Sequence, residues 1–190
     1  MSLSDSELVR RAREGDVESF AVLVRRHYPG CMRFAVRMLR ERADAEEAVQ
    51  DAFASAYRAL ARYQERDRFG TWLMQILVNR CRSLLRGRSR GPALVPLDPA
   101  EAPEPAAEPT ASPDDSWSDE VQDALMRLRP ALREAVLLHY VDGYPCEEIA
   151  RLTGAGVSAV KMRVKRGREQ LRTLLQERYD GRRMLEGDRA

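Results

Sequence analysis

A proline-rich acidic segment between residues 91 and 120 divides this chain and constrains its fold more than any other feature. The segment contains seven of the ten prolines and eight acidic residues, and it contains no lysine or arginine. Proline lacks a backbone donor, and a mixture of Ala, Glu and Pro without periodicity cannot bury a core. We therefore expect residues 88–116 to form a disordered linker between two separately folded domains.

The regions on either side of this segment have the residue periodicity of helices. Apolar residues recur at spacings of three and four, and no stretch alternates β-branched residues with polar ones. We predict an all-α protein with two small helical domains joined by a flexible Pro/Ala/Glu-rich linker, the C-terminal domain being a helix-turn-helix. The expected bounds are 1–87 for the first domain, 117–176 for the second and 177–190 for a C-terminal tail.

Caps and helix-breaking residues predict the first three helices. One helix begins at Ser4 or Asp5 and ends near Gly15. The next begins at Asp16 and ends before Pro29, because proline disfavours a helix interior. A third helix is expected over residues 30–42.

The fourth predicted helix, residues 44–60, has an apolar stripe and an acidic face. Asp44 is its expected N-cap, and Glu47 has the spacing of a capping box. The face opposite the apolar stripe is lined by Glu46, Glu47, Gln50 and Asp51. The residues alone leave two interpretations open, a solvated face stabilised by the helix dipole or a docking patch for a partner.

The fifth predicted helix, residues 70–90, has a polar and cationic face beside a charged loop. Its apolar residues follow the spacing of one helix face, and the other side carries Gln75, Asn79, Arg80 and Arg82. Tyr63 lies in the loop that precedes this helix. Guanidinium groups and an aromatic ring are the groups that bind single-stranded nucleic acid.

The charge of the chain is unevenly distributed. Its net charge is +2, from 32 basic and 30 acidic residues. Without the segment 91–120, the 32 basic residues face 22 acidic ones, a balance of +10 that favours a polyanionic partner.

The C-terminal region has the pattern of a helix-turn-helix. A helix with Pro145 at its first position ends at the C-cap Gly154, and a second helix, capped by Ser158, follows after a short turn. Along "GVSAVKMRVKRGREQL" (156–171), an apolar face consists of Val160, Val164, Gly167 and Leu171. The remaining faces present Ser158, Lys161, Met162, Arg163, Lys165, Arg166 and Arg168, as a helix in the major groove of DNA requires.

Three segments in this order resemble a known family. "DAEEAVQDAF" (44–53), "RFGTWLMQILVNRCRSLLR" (68–86) and the segment 128–172 resemble bacterial RNA polymerase sigma factors of the extracytoplasmic-function (ECF) group. The resemblance implies a cytoplasmic bacterial transcription initiation factor that binds the clamp and flap regions of core RNA polymerase. Asp44, Glu47, Gln50 and Asp51 would contact the polymerase.

The same resemblance implies how promoter DNA is read. The −10 element would be bound by Tyr63, Gln75, Asn79, Arg80 and Arg82. The −35 element would be bound by Ser158, Lys161, Met162, Arg163, Lys165, Arg166 and Arg168. It also implies an anti-sigma factor as partner, with no cofactor and no catalysis by this chain.

Other function classes have less support in the sequence. A stand-alone helix-turn-helix regulator binding duplex DNA would leave the acidic helix and the linker without a purpose. Cys31, Cys81 and Cys146 form no metal-binding motif, and the acidic neighbours of Cys146 argue against a redox sensor. We also expect no secretion signal and no membrane insertion.

Overall fold

The computed structural model describes residues 3–64, 68–89 and 119–187, all of them in helices or short connections. Residues 90–118, which include the predicted linker from residue 90 onward, and three residues of the loop before the fifth predicted helix lie outside the described residues, while residues 88 and 89 belong to a helix and not to the linker. Within the described ranges the fold is all-α, as the periodicity predicted. None of the described helices is long and apolar enough to cross a membrane.

Four helices form the N-terminal domain. They are α1 (Asp5–Arg13), α2 (Val17–Leu39), α3 (Arg42–Ala59) and α4 (Phe69–Ser89), with a short 3₁₀ turn, Leu60–Arg62, after α3. The N-cap of α1 is Ser4, one of the two predicted candidates, and the side chain of Ser4 accepts a hydrogen bond from the Glu7 amide. Apolar side chains from all four helices meet in one core.

Four further helices form the C-terminal domain. They are α5 (Asp119–Arg127), α6 (Pro130–Val136), α7 (Cys146–Thr153) and α8 (Val157–Gly187). A π-helical turn, Leu137–Val141, extends α6. The helix α7 ends at Gly154 in the left-handed conformation, φ 67°, which a glycine adopts without steric cost.

The prediction of two helices on either side of Pro29 was wrong. The helix α2 runs unbroken from Val17 to Leu39 with Pro29 inside it. A proline costs the helix one backbone hydrogen bond, but both halves of α2 bury apolar side chains in the same core, including Phe20 and Phe34. This packing outweighs the local preference for a break.

Three predicted helix starts were also placed wrongly. The helix α3 begins at Arg42, so Asp44 lies in its first turn and forms no cap. The helix α8 begins at Val157, so Ser158 is its second residue. In α7 the residue Pro145 is the N-cap and precedes the first helical position. Short polar residues are favourable at several positions of a first turn, so composition does not locate the cap to the residue.

The two domains share a polar seam in addition to apolar contacts. Arg133 of α6 donates to the carbonyl of Met38 over 2.5 Å, and Gln122 of α5 donates to the carbonyl of Val36 over 3.2 Å. Thr71 of α4 donates to Glu148 of α7 over 2.8 Å. These bonds join residues 77 to 95 positions apart and hold the domains against each other.

Candidate nucleic-acid interface

The acidic face of α3 points away from the core. The helix buries Ala45, Ala48 and Val49 on one side, while Glu47 and Gln50 are exposed on the other and Asp44 and Asp51 are partly exposed. The predicted partner-binding side chains therefore form one face, as the helical period requires.

Arg80 of α4 lies against this acidic face. Its Nη2 lies 3.0 Å from Oε1 of Glu47 and also contacts Oδ2 of Asp51. One guanidinium thus serves two carboxylates that are a helical turn apart on α3. The spacing of residues within each helix did not predict that a candidate DNA-binding arginine pairs with the candidate docking carboxylates.

Arg82, two residues after Arg80 on α4, is bound by the C-terminal domain. Its Nε and Nη2 each lie 2.6 Å from an oxygen of Glu134, and its Nη1 donates to the carbonyl of Thr153 over 3.1 Å. The side chain of Glu134 is 3% exposed and that of Arg82 is 27% exposed. This parallel two-bond geometry is the strongest form of an arginine–carboxylate pair.

Tyr63, predicted to stack on a base, is 7% exposed. Its ring centroid lies 4.7 Å from that of Trp72 and 6.2 Å from that of Phe69. The three rings form a cluster that anchors the start of α4. Gln75 and Asn79, in contrast, are exposed on the outer side of α4.

The predicted packed face of the second helix-turn-helix element is observed. Val160 and Val164 of α8 are buried, Gly167 is buried and Leu171 is partly buried. A Cβ at Gly167 would lie 2.5 Å from Cγ2 of Val136 and 3.1 Å from the Leu132 carbonyl oxygen. Only glycine therefore allows α8 to approach α6 this closely.

This packing fixes the direction of the cationic side chains of α8. Lys161, Lys165, Arg166 and Arg168 are exposed, as are Ser158 and Met162, while Arg163 is partly exposed. Lys161 lies 3.1 Å from Glu147 of α7, a pair in which both side chains are 61% exposed. Among the described residues, Lys165, Arg166 and Arg168 form no ion pair.

Asp142 lies at the domain seam beside a cavity of about 220 Å³ that His27, Arg33 and Tyr144 also line. Burial raises the pKa of Asp142 to about 7, although Arg33 and Arg37 favour its ionised form. Burial likewise raises the pKa of the Cys31 and Cys81 thiols to about 12, so both are unreactive at neutral pH. In the described part of the chain, no group of three or more His, Cys, Asp or Glu side chains could hold a metal ion.

Sequence reasoning missed the residues that join the domains. Glu134, Glu148 and Thr71 were given no role, although each bonds across the seam. The available signal was a glutamate at a buried position, because Glu134 directly precedes the buried apolar run "AVLL" (135–138).

Comparisons with known proteins match both domains to sigma factors. Residues 23–91 match the family described as Sigma-70 region 2, and residues 118–171 match Sigma-70, region 4. The chain is 38% identical to RNA polymerase sigma factor CarQ of Myxococcus xanthus over 89% of its length and 96% of the relative's. It is 36% identical to the ECF RNA polymerase sigma factor SigM of Mycobacterium tuberculosis, covering 90% of this chain and 85% of the relative.

Two solved structures have a similar fold. One is CnrH in complex with the cytosolic domain of CnrY, with a TM-score of 0.69 and 26% identity over 91% of this chain and 97% of that chain. The other is the sigma factor RpoE in complex with the anti-sigma factor NepR from Bartonella quintana, with a TM-score of 0.65 and 25% identity over 84% and 98%.

Proposed function

The chain belongs to the extracytoplasmic-function group of the sigma-70 family, and we propose that it docks on core RNA polymerase through α3 and reads promoter DNA through α4 and α8. The observation that carries this assignment of surfaces is that one chain exposes a carboxylate face on α3 and a cationic face on α8. A basic polymerase surface suits the first face and DNA suits the second.

The domain bounds follow the same division of labour. Residues 1–87 supply polymerase docking and −10 binding, residues 117–176 supply −35 binding, and residues 88–116 join them. The chain acts as an initiation factor in the bacterial cytoplasm, and the polymerase supplies the chemistry of RNA synthesis.

Docking on polymerase uses Asp44, Glu47, Gln50 and Asp51. Charge complementarity would bring a basic partner to this face, and Arg80 would then compete with that partner for Glu47 and Asp51. Docking would therefore loosen Arg80 from α3 and leave its guanidinium available to DNA beside it.

Promoter reading uses two kinds of contact. On α4, the exposed amides of Gln75 and Asn79 precede the two arginines in sequence and can bond the edges of unstacked bases, while Arg80 and Arg82 bind phosphates. Tyr63 acts from within its ring cluster, where it supports the start of α4.

On α8, the packed face turns seven side chains toward the major groove. Lys165, Arg166 and Arg168 suit phosphate or guanine contacts, and Met162, 47% exposed, offers an apolar contact to base edges. Ser158, Lys161 and Arg163 are the other three of the seven side chains proposed to contact the −35 element.

An anti-sigma factor is the proposed inhibitory partner. RpoE of Bartonella quintana, with which this chain shares its fold, is bound to the anti-sigma factor NepR. A partner of this class would cover the docking face or the DNA-binding faces of this chain.

A docking test replaces Glu47 and Asp51 together by alanine. We expect the variant to lose co-elution with core RNA polymerase in gel filtration, because both carboxylates of the proposed contact are removed. The matched control is Glu7→Ala with Glu14→Ala, since Arg10 bridges Glu7 of α1 and its C-cap Glu14 as Arg80 bridges Glu47 and Asp51. Unchanged co-elution of the α3 variant would refute the assignment.

The same experiment separates a sigma factor from a stand-alone regulator. A stand-alone helix-turn-helix regulator would bind duplex DNA as a symmetric dimer and would not co-elute with polymerase. Sequencing of transcripts made by polymerase reconstituted with this chain would then define the promoters that it reads.

A further inference from the structure

Met162 is an exposed apolar side chain on a cationic helix. It is 47% exposed, whereas Val160, Val164 and Leu171 pack into or against the core. Among the residues of α8 whose side chains the structure describes, Met162 is the only large apolar one that is exposed. An exposed thioether gains free energy when an apolar group covers it, so this position suits a contact with a partner.

Met162 lies at the centre of the exposed face of α8. At about 100° per residue, Ser158 and Met162 each point within about 20° of the direction opposite to Val160. The exposed cations Lys165 and Arg166 are displaced from that direction by about 40° and 60°, one to each side. The centre of the face is therefore neutral and its flanks are positive.

This distribution of charge matches the cross-section of the DNA major groove. Phosphates form the two rims of the groove and attract the flanking cations, whereas uncharged base edges form its floor. Further along the same face, the exposed carboxylate of Glu169 is repelled by phosphates, which limits the DNA contact to the residues before it. Met162 thus lies in the part of α8 that faces the floor of the groove.

The chemistry of Met162 matches one group on that floor. Adenine, guanine and cytosine present only hydrogen-bond donors or acceptors there, whereas thymine also presents its C5-methyl group. A thioether is a weak hydrogen-bond acceptor but packs well against a methyl group. Against cytosine, Met162 would leave the amino group of the base without a good acceptor, which is unfavourable once water is excluded.

We infer that Met162 is a specificity-determining residue, which selects a thymine in the −35 element by packing against its methyl group. The inference rests on the proposed function, because it takes the insertion of α8 into the major groove from there. It adds the base that one side chain reads. Removal of the thymine methyl should weaken binding about fourfold, the effect of one buried methylene-sized group.

The first step of the test locates the base. Core RNA polymerase reconstituted with the full chain selects from duplex promoters randomised across the −35 region, and the bound DNA is sequenced. We expect the wild type to enrich thymine at a position where Met162→Ala does not. The matched control is Gln170→Ala, which removes an exposed, uncharged side chain of similar length from the same helix and should select the wild-type sequence.

The second step removes only the methyl group. Deoxyuridine replaces the selected thymine, because it pairs with adenine in the same way and lacks the methyl. The two duplexes compete for the same reconstituted polymerase at one salt concentration, since DNA affinity depends on salt. We expect the wild type to prefer the thymine duplex about fourfold and Met162→Ala to bind both equally. Met162→Leu keeps an apolar side chain and should retain most of the preference.

Two outcomes would overturn the role of Met162. One is an unchanged selected sequence for Met162→Ala, and the other is an equal preference of the wild type and Met162→Ala for thymine over deoxyuridine. A wild-type polymerase that selected no −35 sequence would instead overturn the proposed function, and the inference with it. Substitutions at exposed positions change the free energy of unfolding little, so each variant is expected to fold.

Discussion

The cationic faces of α4 and α8 have similar chemistry and opposite electrostatic surroundings. On α4, Arg80 is bound by two carboxylates of α3 and Arg82 by a buried carboxylate of α6. On α8, Arg166 and Arg168 are exposed and form no ion pair with described residues. The difference teaches that α8 exposes cations without counter-ions among the described residues, whereas both arginines of α4 have counter-ions within the chain.

The largest expected effect comes from removing Arg82 of α4, and Arg166 of α8 is the comparison. Arg82→Ala leaves Glu134 buried without its partner, and we expect it to lower the free energy of unfolding by about 3–4 kcal/mol. Arg166→Ala removes an exposed cation and should change it by less than about 0.5 kcal/mol. Urea unfolding followed by circular dichroism measures both, and equal effects would break the contrast between the helices.

A second prediction tests the packed face that orients α8. In Gly167→Ala the new methyl group meets Val136 and the Leu132 carbonyl, so we expect a loss of about 2–3 kcal/mol in the free energy of unfolding. Gly87→Ala on α4 is the control, because a Cβ there has no neighbour within 4 Å. The stability of Gly87→Ala should rise slightly, since alanine has a higher helix propensity than glycine. Equal stabilities in thermal unfolding would show that the close approach of α8 and α6 is dispensable.

The third prediction concerns Asp142 at the seam. Because burial raises its pKa to about 7 in the folded chain, the folded state retains a proton that the unfolded state releases near pH 4. The stability contributed by the protonated group is complete below pH 4 and is lost as the pH rises to about 7.

Asp142→Asn should remove this part of the pH dependence and gain about 1–2 kcal/mol at pH 8, a value reduced from the full shift because the side chain is only partly buried. The free energy of unfolding of the wild type and of Asp142→Asn, determined at pH 4, 6 and 8, checks this prediction. Asp16→Asn is unsuitable as a control because the side chain of Asp16 caps α2. Glu18→Gln serves instead. If the stability of the wild type fell no more between pH 4 and 7 than the stability of Asp142→Asn, the raised pKa would be contradicted.

The smallest expected effect is on salt dependence. Arg166→Ala should reduce the slope of log affinity against log salt for duplex DNA by about one, because one phosphate contact is lost. Arg80→Ala should leave the slope of the isolated chain unchanged, because Glu47 and Asp51 already neutralise that guanidinium. Equal changes of slope would mean that the α4 arginines are as available to DNA as those of α8.

Much of the architecture could be predicted because it depends on short-range order. The stripe Val160, Val164, Gly167 and Leu171 follows from the helical period, and it was found as predicted. The continuity of α2 through Pro29 could not be predicted, because it depends on core contacts made by residues on both sides of the proline. The role of Tyr63 in a ring cluster depends on Trp72 and Phe69, which lie beyond a loop.

The sequence by itself determined which residues share a helix face, because that relation repeats every 3.6 residues along one segment. Family membership was also readable from the order of three segments along the chain. Only the tertiary structure decided which charges neutralise each other. Arg80 is 33 residues from Glu47 and Arg82 is 52 residues from Glu134, and no local period relates residues at such separations. Charge pairing across domains is a property of packing, and here it distinguishes two cationic helices that the sequence alone makes look alike.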